Sequence, residues 1–269
     1  MAEQKENKPI VVITGASKGI GLSASLKFIE LGYTVIACAR SKDKMNELQT
    51  KYPSCSFSSV DVTNAEQVEA WSKTVIDKYG SPDILINNAG VACDNTEIEN
   101  VSIKNMDAII NVNLKGVMYV IKYFMPCMKA NKDKQSKIIA ISSPAGRNGL
   151  ANMSPYCASK WGIEGLMLSI AKEIPEYMTA IAYNPGGIMT EMIYCLVPEL
   201  QGKMDECIKL GAVGPTQWAD VCIPHIIGLK RDQVNGKPVD RPNLKELLSN
   251  NWKIWRQIKQ QVLDQQAKK

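Results

Sequence analysis

Runs of apolar, β-branched residues alternate along this chain with stretches whose apolar positions recur at helical spacing. Pro9–Thr14 (PIVVIT) shows no polar alternation, which predicts a strand buried on both faces. From Ile20 to Leu31 the apolar residues fall on one helical stripe, and Gly32 sits where a C-terminal cap belongs. Further strands are predicted at Thr34–Ala39, Phe57–Val60, Asp83–Ile86, Lys137–Ile141 and Thr179–Tyr183, with helical patterns between them. Strands separated by single helices form βαβ units and a parallel sheet, and right-handed crossovers place helices on both faces. The expected fold is therefore α/β: one doubly wound parallel sheet of Rossmann type, in a single domain over 1–269 with its core at about 8–240.

Beyond that core, Val234–Val239 (VNGKPV) predicts a turn leading into a last edge strand. Pro242–Gln266 is polar but carries Leu244, Leu247, Leu248, Trp252, Trp255, Ile258 and Val262, the stripe of a C-terminal helix laid on the domain. There is no internal repeat, low-complexity tract or linker.

Composition narrows the picture. Hydrophobic residues make up 45% of the 269 and charged residues 22%, as in an ordinary globular protein. The net charge of +5 is mild and not gathered into a basic stripe with interleaved aromatics, so no nucleic-acid partner is expected. The eight cysteines include no C-x-x-C pair, which predicts free thiols in a reducing compartment and no metal site. No signal peptide and no membrane-length apolar run are read, so no membrane is expected and the cytosol is the expected location.

The candidate chemistry begins just after the first strand, at Thr14-Gly15-Ala16-Ser17-Lys18-Gly19-Ile20-Gly21. Gly15 permits a tight turn, Gly19 allows close approach to a pyrophosphate, and Gly21 lets the helix pack near the strand. Ser17, Lys18 and Ile20 complete this turn at a helix N-terminus, where free N–H groups attract phosphate. The second strand ends Cys38-Ala39-Arg40-Ser41, without the carboxylate that would bind an NAD ribose. Arg40, with Lys18, instead suits a 2′-phosphate, so NADP(H) is the expected cofactor. Asp61-Val62, after the third strand, would lie beside the adenine.

Tyr156 and Lys160 are four apart in Tyr156-Cys157-Ala158-Ser159-Lys160 and share one helix face. A tyrosine with a pKa of ~10 is a poor base near neutrality, and a neighbouring ammonium lowers that value. A bare Y-x-x-x-K pattern means little, but its context is specific. Ser142-Ser143 ends the fifth strand at the carboxyl edge where ligands bind, and Asn87-Asn88-Ala89-Gly90 ends the fourth. Asn113 is an amide in an otherwise apolar stretch, which implies a hydrogen-bonding task. The single histidine, His225, has no partners for a triad or a zinc site.

Together the motifs resemble the short-chain dehydrogenase/reductase family over about Ile10–Thr190: TGASKGIG at Thr14, DV at Asp61, NNAG at Asn87, NVNLKG around Asn113, ISS at Ile141, YCASK at Tyr156 and NPGGIMT at Asn184. The resemblance implies that Tyr156 is the general acid in reduction and base in oxidation. Lys160 would lower the Tyr156 pKa and hold the nicotinamide ribose, Ser143 would position the substrate oxygen, and Asn113 would hold a water in a proton relay. Asn87, Asn88, Ala89 and Gly90 would line the cofactor cleft. Pro185, Gly186, Ile188 and Thr190 would hold the nicotinamide end. It also implies a homodimer or homotetramer built through the helices carrying Asn113 and Tyr156. Pro144 departs from the pattern by stiffening the serine loop, and Glu173–Met178 makes a tight connection to the sixth strand.

The expected activity is hydride transfer between NADP(H) and a carbonyl/alcohol substrate, in the form of a carbonyl reductase. The apolar segment from Glu191 to about Gly214 would bound the substrate as a lid. An epimerase of the larger related branch would need more chain after the sixth strand. A non-catalytic NADPH-binding sensor or scaffold would not need Asn113, Ser143, Tyr156 and Lys160 all present.

Overall fold

A computed structural model describes residues 8–92, 94–192 and 212–242. The first half runs β1 (Ile10–Thr14), α1 (Gly19–Glu30), β2 (Thr34–Ala39), α2 (Lys42–Lys51), β3 (Ser56–Ser59), α3 (Ala65–Tyr79) and β4 (Ile84–Asn87). Then follow α4 (Ile103–Ile110), α5 (Gly116–Ala130), β5 (Lys137–Ile141), α6 (Ser154–Glu173), β6 (Thr179–Asn184), α7 (Pro215–Gly228), α8 (Arg231–Val234) and β7 (Pro238–Asp240). The seven strands form one sheet in the order β3-β2-β1-β4-β5-β6-β7. Every pairing is parallel, including β7, the edge strand read after the Asn235-Gly236 turn. The strand bounds expected from sequence hold to within a residue.

The absence of alternation in the strand sequences has a direct cause: successive side chains enter two different cores. Val11 and Ile13 of β1, Ile84 and Ile86 of β4 and Tyr183 of β6 face α1, α2 and α7. Val12, Leu85, Ile138 and Ala182 face the other way, against α3, α5 and α6. Both faces of the central strands are therefore buried, and solvent reaches the edge strands β3 and β7 and the strand ends.

Some features were not foreseen. Asn111–Lys115 is a π-helical turn joining α4 to α5, so Asn113 sits where the helix widens. Pro144–Gly146, in the serine loop, is a 3₁₀ turn. The connection before β6 closes through Met178 N–H to Pro175 O at 3.0 Å. All of the C-terminal helix expected at 242–266 except Pro242, and most of the expected lid, 193–211, lie outside the described residues. Cys38, Cys55, Cys127, Cys157 and Cys222 are free thiols. Among the described residues no helix is long and apolar enough to cross a membrane.

The core on the α3/α5 side hinges on Phe124, fully buried and in edge contact with Trp71 at 5.3 Å between ring centroids. Phe124→Ala leaves a cavity there and is expected to cost about 3–5 kcal/mol, read as a fall in the urea midpoint of unfolding.

Candidate active site

Reversal of strand order between β1 and β4 opens a crevice at their carboxyl ends. Two sets of hydrogen bonds tie the strand ends at its base. Thr14 Oγ1 accepts from the N–H of Asn88 and of Ala89, both at 3.1 Å. The Asn88 side-chain amide in turn donates to Thr14 O at 2.9 Å and Gly15 O at 3.1 Å. The glycine turn is packed too tightly for side chains: a Cβ on Gly21 would lie 2.3 Å from Gly15 O and 2.4 Å from Asn88 Nδ2. Gly15, at φ +71°, would bring a Cβ to 2.7 Å from Ala89 Cα.

The crevice is a cleft of about 700 Å³ lined by Gly15, Ser17, Lys18, Gly19, Ile20, Arg40, Asp61, Val62, Asn88, Ala89 and Gly90. These are the cofactor residues expected from sequence, gathered from β1, β2, β3 and β4. Gly21 acts from behind, by letting the helix close on the turn. Asn87, expected in the cleft wall, is buried and donates to Ile139 O at 3.3 Å, so the strand's alternation aims it into the sheet. Lys18 reaches across the cleft mouth and ion-pairs with Glu191, which also lines it. Asp61 spends its side chain on Thr63, accepting from the backbone N–H at 2.9 Å and the hydroxyl at 2.8 Å.

A second cavity of about 210 Å³ adjoins the first, sharing Ile20, Asn88, Gly90, Thr190 and Met192 with it. Ser143, Tyr156, Lys160, Pro185, Gly186 and Ile188 line it, with apolar walls from Ile141, Pro144, Leu150 and Met153. Thus Ser143, Tyr156 and Lys160 converge on one cavity, beside the loop after β6. Ser143 Oγ accepts from Ala145 N–H at 3.2 Å as the cap of the 3₁₀ turn, which leaves its O–H to donate. Lys160 is buried and donates to Ile141 O at 2.8 Å, with Nζ 5.7 Å from the Tyr156 ring centroid. Burial pulls the Lys160 ammonium down to about 8, opposed by the charge of Glu164.

Asn113 lies behind this cavity. Its Oδ1 accepts from Val91 N–H at 2.8 Å, and its Nδ2 donates to Val91 O at 3.0 Å and Ser159 Oγ at 3.1 Å. The amide thus ties the segment after β4 to α6. His225 is remote, on the opposite face of the sheet, 3.1 Å from the Tyr183 hydroxyl, and burial lowers its pKa. Sequence reasoning missed Glu164 and Arg147, although Tyr156, Lys160 and Glu164 fall at successive i,i+4 positions of α6.

The chain is similar to known proteins over most of its length. Residues 9–199 match the short chain dehydrogenase family. The NADPH-dependent pterin aldehyde reductase of Arabidopsis thaliana is 43% identical over 186 residues, covering 68% of this chain and 76% of that protein. The chain belongs to the short chain dehydrogenase family. A 3-oxoacyl-[acyl-carrier-protein] reductase of Staphylococcus aureus is 35% identical over 209 residues, 76% of this chain and 84% of the relative. In fold, the family's 3-ketoacyl-(acyl-carrier-protein) reductase from Brucella melitensis superposes with a TM-score of 0.78 at 23% identity, over 87% of this chain and 97% of that one. The NADP-bound structure of ElxO gives 0.75 at 25% identity, over 87% and 97%.

Gly21→Ala is expected to cost about 1–3 kcal/mol through overpacking against the turn and to weaken cofactor binding. Gly165→Ala, in α6 where a Cβ meets nothing within 4 Å, is expected to be neutral or stabilising by up to about 1 kcal/mol. Chemical denaturation of the two variants checks the contrast.

Proposed function

We propose that the protein is an NADP(H)-dependent carbonyl reductase. The observation that carries this reading is the convergence of Ser143, Tyr156 and Lys160 on a cavity that opens into the glycine-lined cleft. Family membership supports an oxidoreductase acting between carbonyl and alcohol, and the Arabidopsis relative is named for its NADPH dependence.

The cleft fits a dinucleotide phosphate. Its turn has no room for side chains at Gly15 and Gly21, and α1 offers its N-terminus to phosphate. Gly15, Ser17, Gly19 and Ile20 would hold the pyrophosphate, and Arg40 and Lys18 the 2′-phosphate. Asp61 and Val62 would flank the adenine, and Asn88, Ala89 and Gly90 the adjoining ribose. Pro185, Gly186, Ile188 and Thr190 would hold the nicotinamide end. When bound, NADPH supplies the hydride. The chain's own residues handle the oxygen: Ser143 donates a hydrogen bond to it, and Tyr156 donates the proton as negative charge develops. Lys160 stands by as a buried cation that favours this transfer.

Apolar walls with the Ser143 and Tyr156 hydroxyls among them suit a small or medium aldehyde or ketone presenting its carbonyl inward. Heteroaromatic aldehydes head such a screen, given the activity in the name of the Arabidopsis relative. Met118 of α5 and Trp161 and Leu168 of α6 are exposed apolar residues on the helices through which a homodimer or homotetramer would form. Free thiols fit a reducing compartment such as the cytosol.

Tyr156→Phe keeps the ring and removes the proton, and turnover is expected to fall about a hundredfold or more; retained activity in an NADPH-oxidation assay overturns the mechanism. Fluorescence titration should show NADPH binding tighter than NADH, with Arg40→Ala weakening NADPH about tenfold or more and leaving NADH unchanged. Equal affinities in the wild type would exclude a 2′-phosphate grip by Arg40.

A further inference from the structure

Below the catalytic cavity lies a cluster of charged and polar groups that no proposed step uses. Glu164 is buried on α6, one helical turn beyond Lys160. Its Oε1 accepts from Ser142 Oγ at 2.6 Å and lies 3.3 Å from Arg147 Nε. Arg147 also donates to Asp240 Oδ1 of β7 at 2.6 Å. Between these groups, Gly146 packs so closely that a Cβ would lie 2.7 Å from Ser142 Oγ, 3.0 Å from Lys160 O and 3.3 Å from Glu164 Cγ. The serine loop is therefore clasped to α6 on both sides of Ser143: through Ser142 before it and through Gly146 and Arg147 after it.

We propose that Glu164 is a positioning residue of the site: its carboxylate ties the Ser142–Arg147 loop to α6 and serves Lys160 as a buried counter-charge. This rests on the reading of Tyr156 and Lys160 as the proton-transfer pair. A buried ammonium is costly unless an opposite charge accompanies it. Lys160 is pulled down to about 8 by burial, and Glu164 is the charge that opposes this. Arg147 tempers Glu164 from the other side and is itself balanced by Asp240. On β5 the charged group is Lys137, at the opposite end of the strand from Ile141 and with its ammonium on the carbonyls of Ile226 and Ile227; the charged groups of the helical elements against α6 are Lys104 and Asp107 of α4 and Lys115 of the π-helical turn. These last three are exposed, where solvent screens them.

The signs of two substitutions separate this role from simple packing. Glu164→Gln keeps the shape and an acceptor for Ser142 but removes the negative charge, so Lys160 should lose its proton at lower pH. Arg147→Gln removes the opposing positive charge, so Lys160 should hold its proton to higher pH. Lysine-selective ¹³C labelling and NMR titration of the full-length protein without cofactor read the Lys160 midpoint directly, with Lys160→Arg identifying the signal. We expect a downward shift of about one pH unit in Glu164→Gln and a smaller upward shift in Arg147→Gln. Midpoints that stay put, or move the same way in both variants, overturn the proposal. Tyr156→Phe in the NADPH-oxidation assay tests the underlying reading separately. If that variant stays active, the assignment of the pair fails; if it is inactive while the two midpoints do not diverge, only the role of Glu164 fails.

Discussion

Burial of both faces of a parallel sheet is the constraint on which the rest of this structure depends. Side chains along each strand enter two separate cores, one under α1, α2 and α7 and the other under α3, α5 and α6. Backbone polar groups inside the sheet are consumed by its ladders, so the sheet leaves polar groups free chiefly where strands end. In a parallel sheet all the carboxyl ends point the same way. Thr14, Arg40, Asp61, Asn88, Ser143 and Asn184 therefore emerge along a single edge. The reversal of strand order at β1 and β4 parts the flanking loops and makes the cleft there.

Within that edge, close backbone approach does the work that larger side chains cannot. Gly15 and Gly21 bring α1 against the end of β1, and Asn88 stitches β4 to the same turn. Gly146 performs a similar service at the other end of the site, letting the serine loop lie on the Lys160 turn of α6. The result is a close-packed cleft floor, on which a small number of hydroxyl, amide and ammonium groups are held by packing and hydrogen bonds. The exposed pair Lys18–Glu191 at the mouth is of another kind, since solvent screens it and a phosphate can compete for the lysine.

Charge is handled differently at depth. Lys160 is buried on the helix that also carries Tyr156 and Glu164, and a carbonyl at the end of β5 accepts one of its protons. Its remaining donors and its charge act within a medium of low effective dielectric, where each neighbouring charge counts for more than at the surface. Asn113 fills the space behind with an amide whose bonds are spent on Val91 and Ser159. That commitment explains why a polar residue is tolerated in the widened helical turn between α4 and α5.

Much of this was readable from the chain itself. Strand positions, the parallel sheet, the glycine turn and Arg40 at the end of β2 follow from local pattern, and the Tyr156–Lys160 pair stood out through the motifs around it. Periodicity and turn chemistry act over a few residues and need no knowledge of distant partners. Asn87 and Asn88 show the limit: adjacent residues in a polar tetrad look alike in sequence, and only the pleat of β4 sends one into the sheet and the other to the cleft. The Ser142–Glu164–Arg147–Asp240 cluster shows it more fully. Its members come from a strand end, a helix, a loop and an edge strand that tertiary packing alone joins by hydrogen bonds and ion pairs. The sequence by itself determined which groups stand at the active edge of the sheet. Folding decided which of them are buried, which are paired and how their charges balance, because burial and pairing are properties of neighbours far apart in the chain.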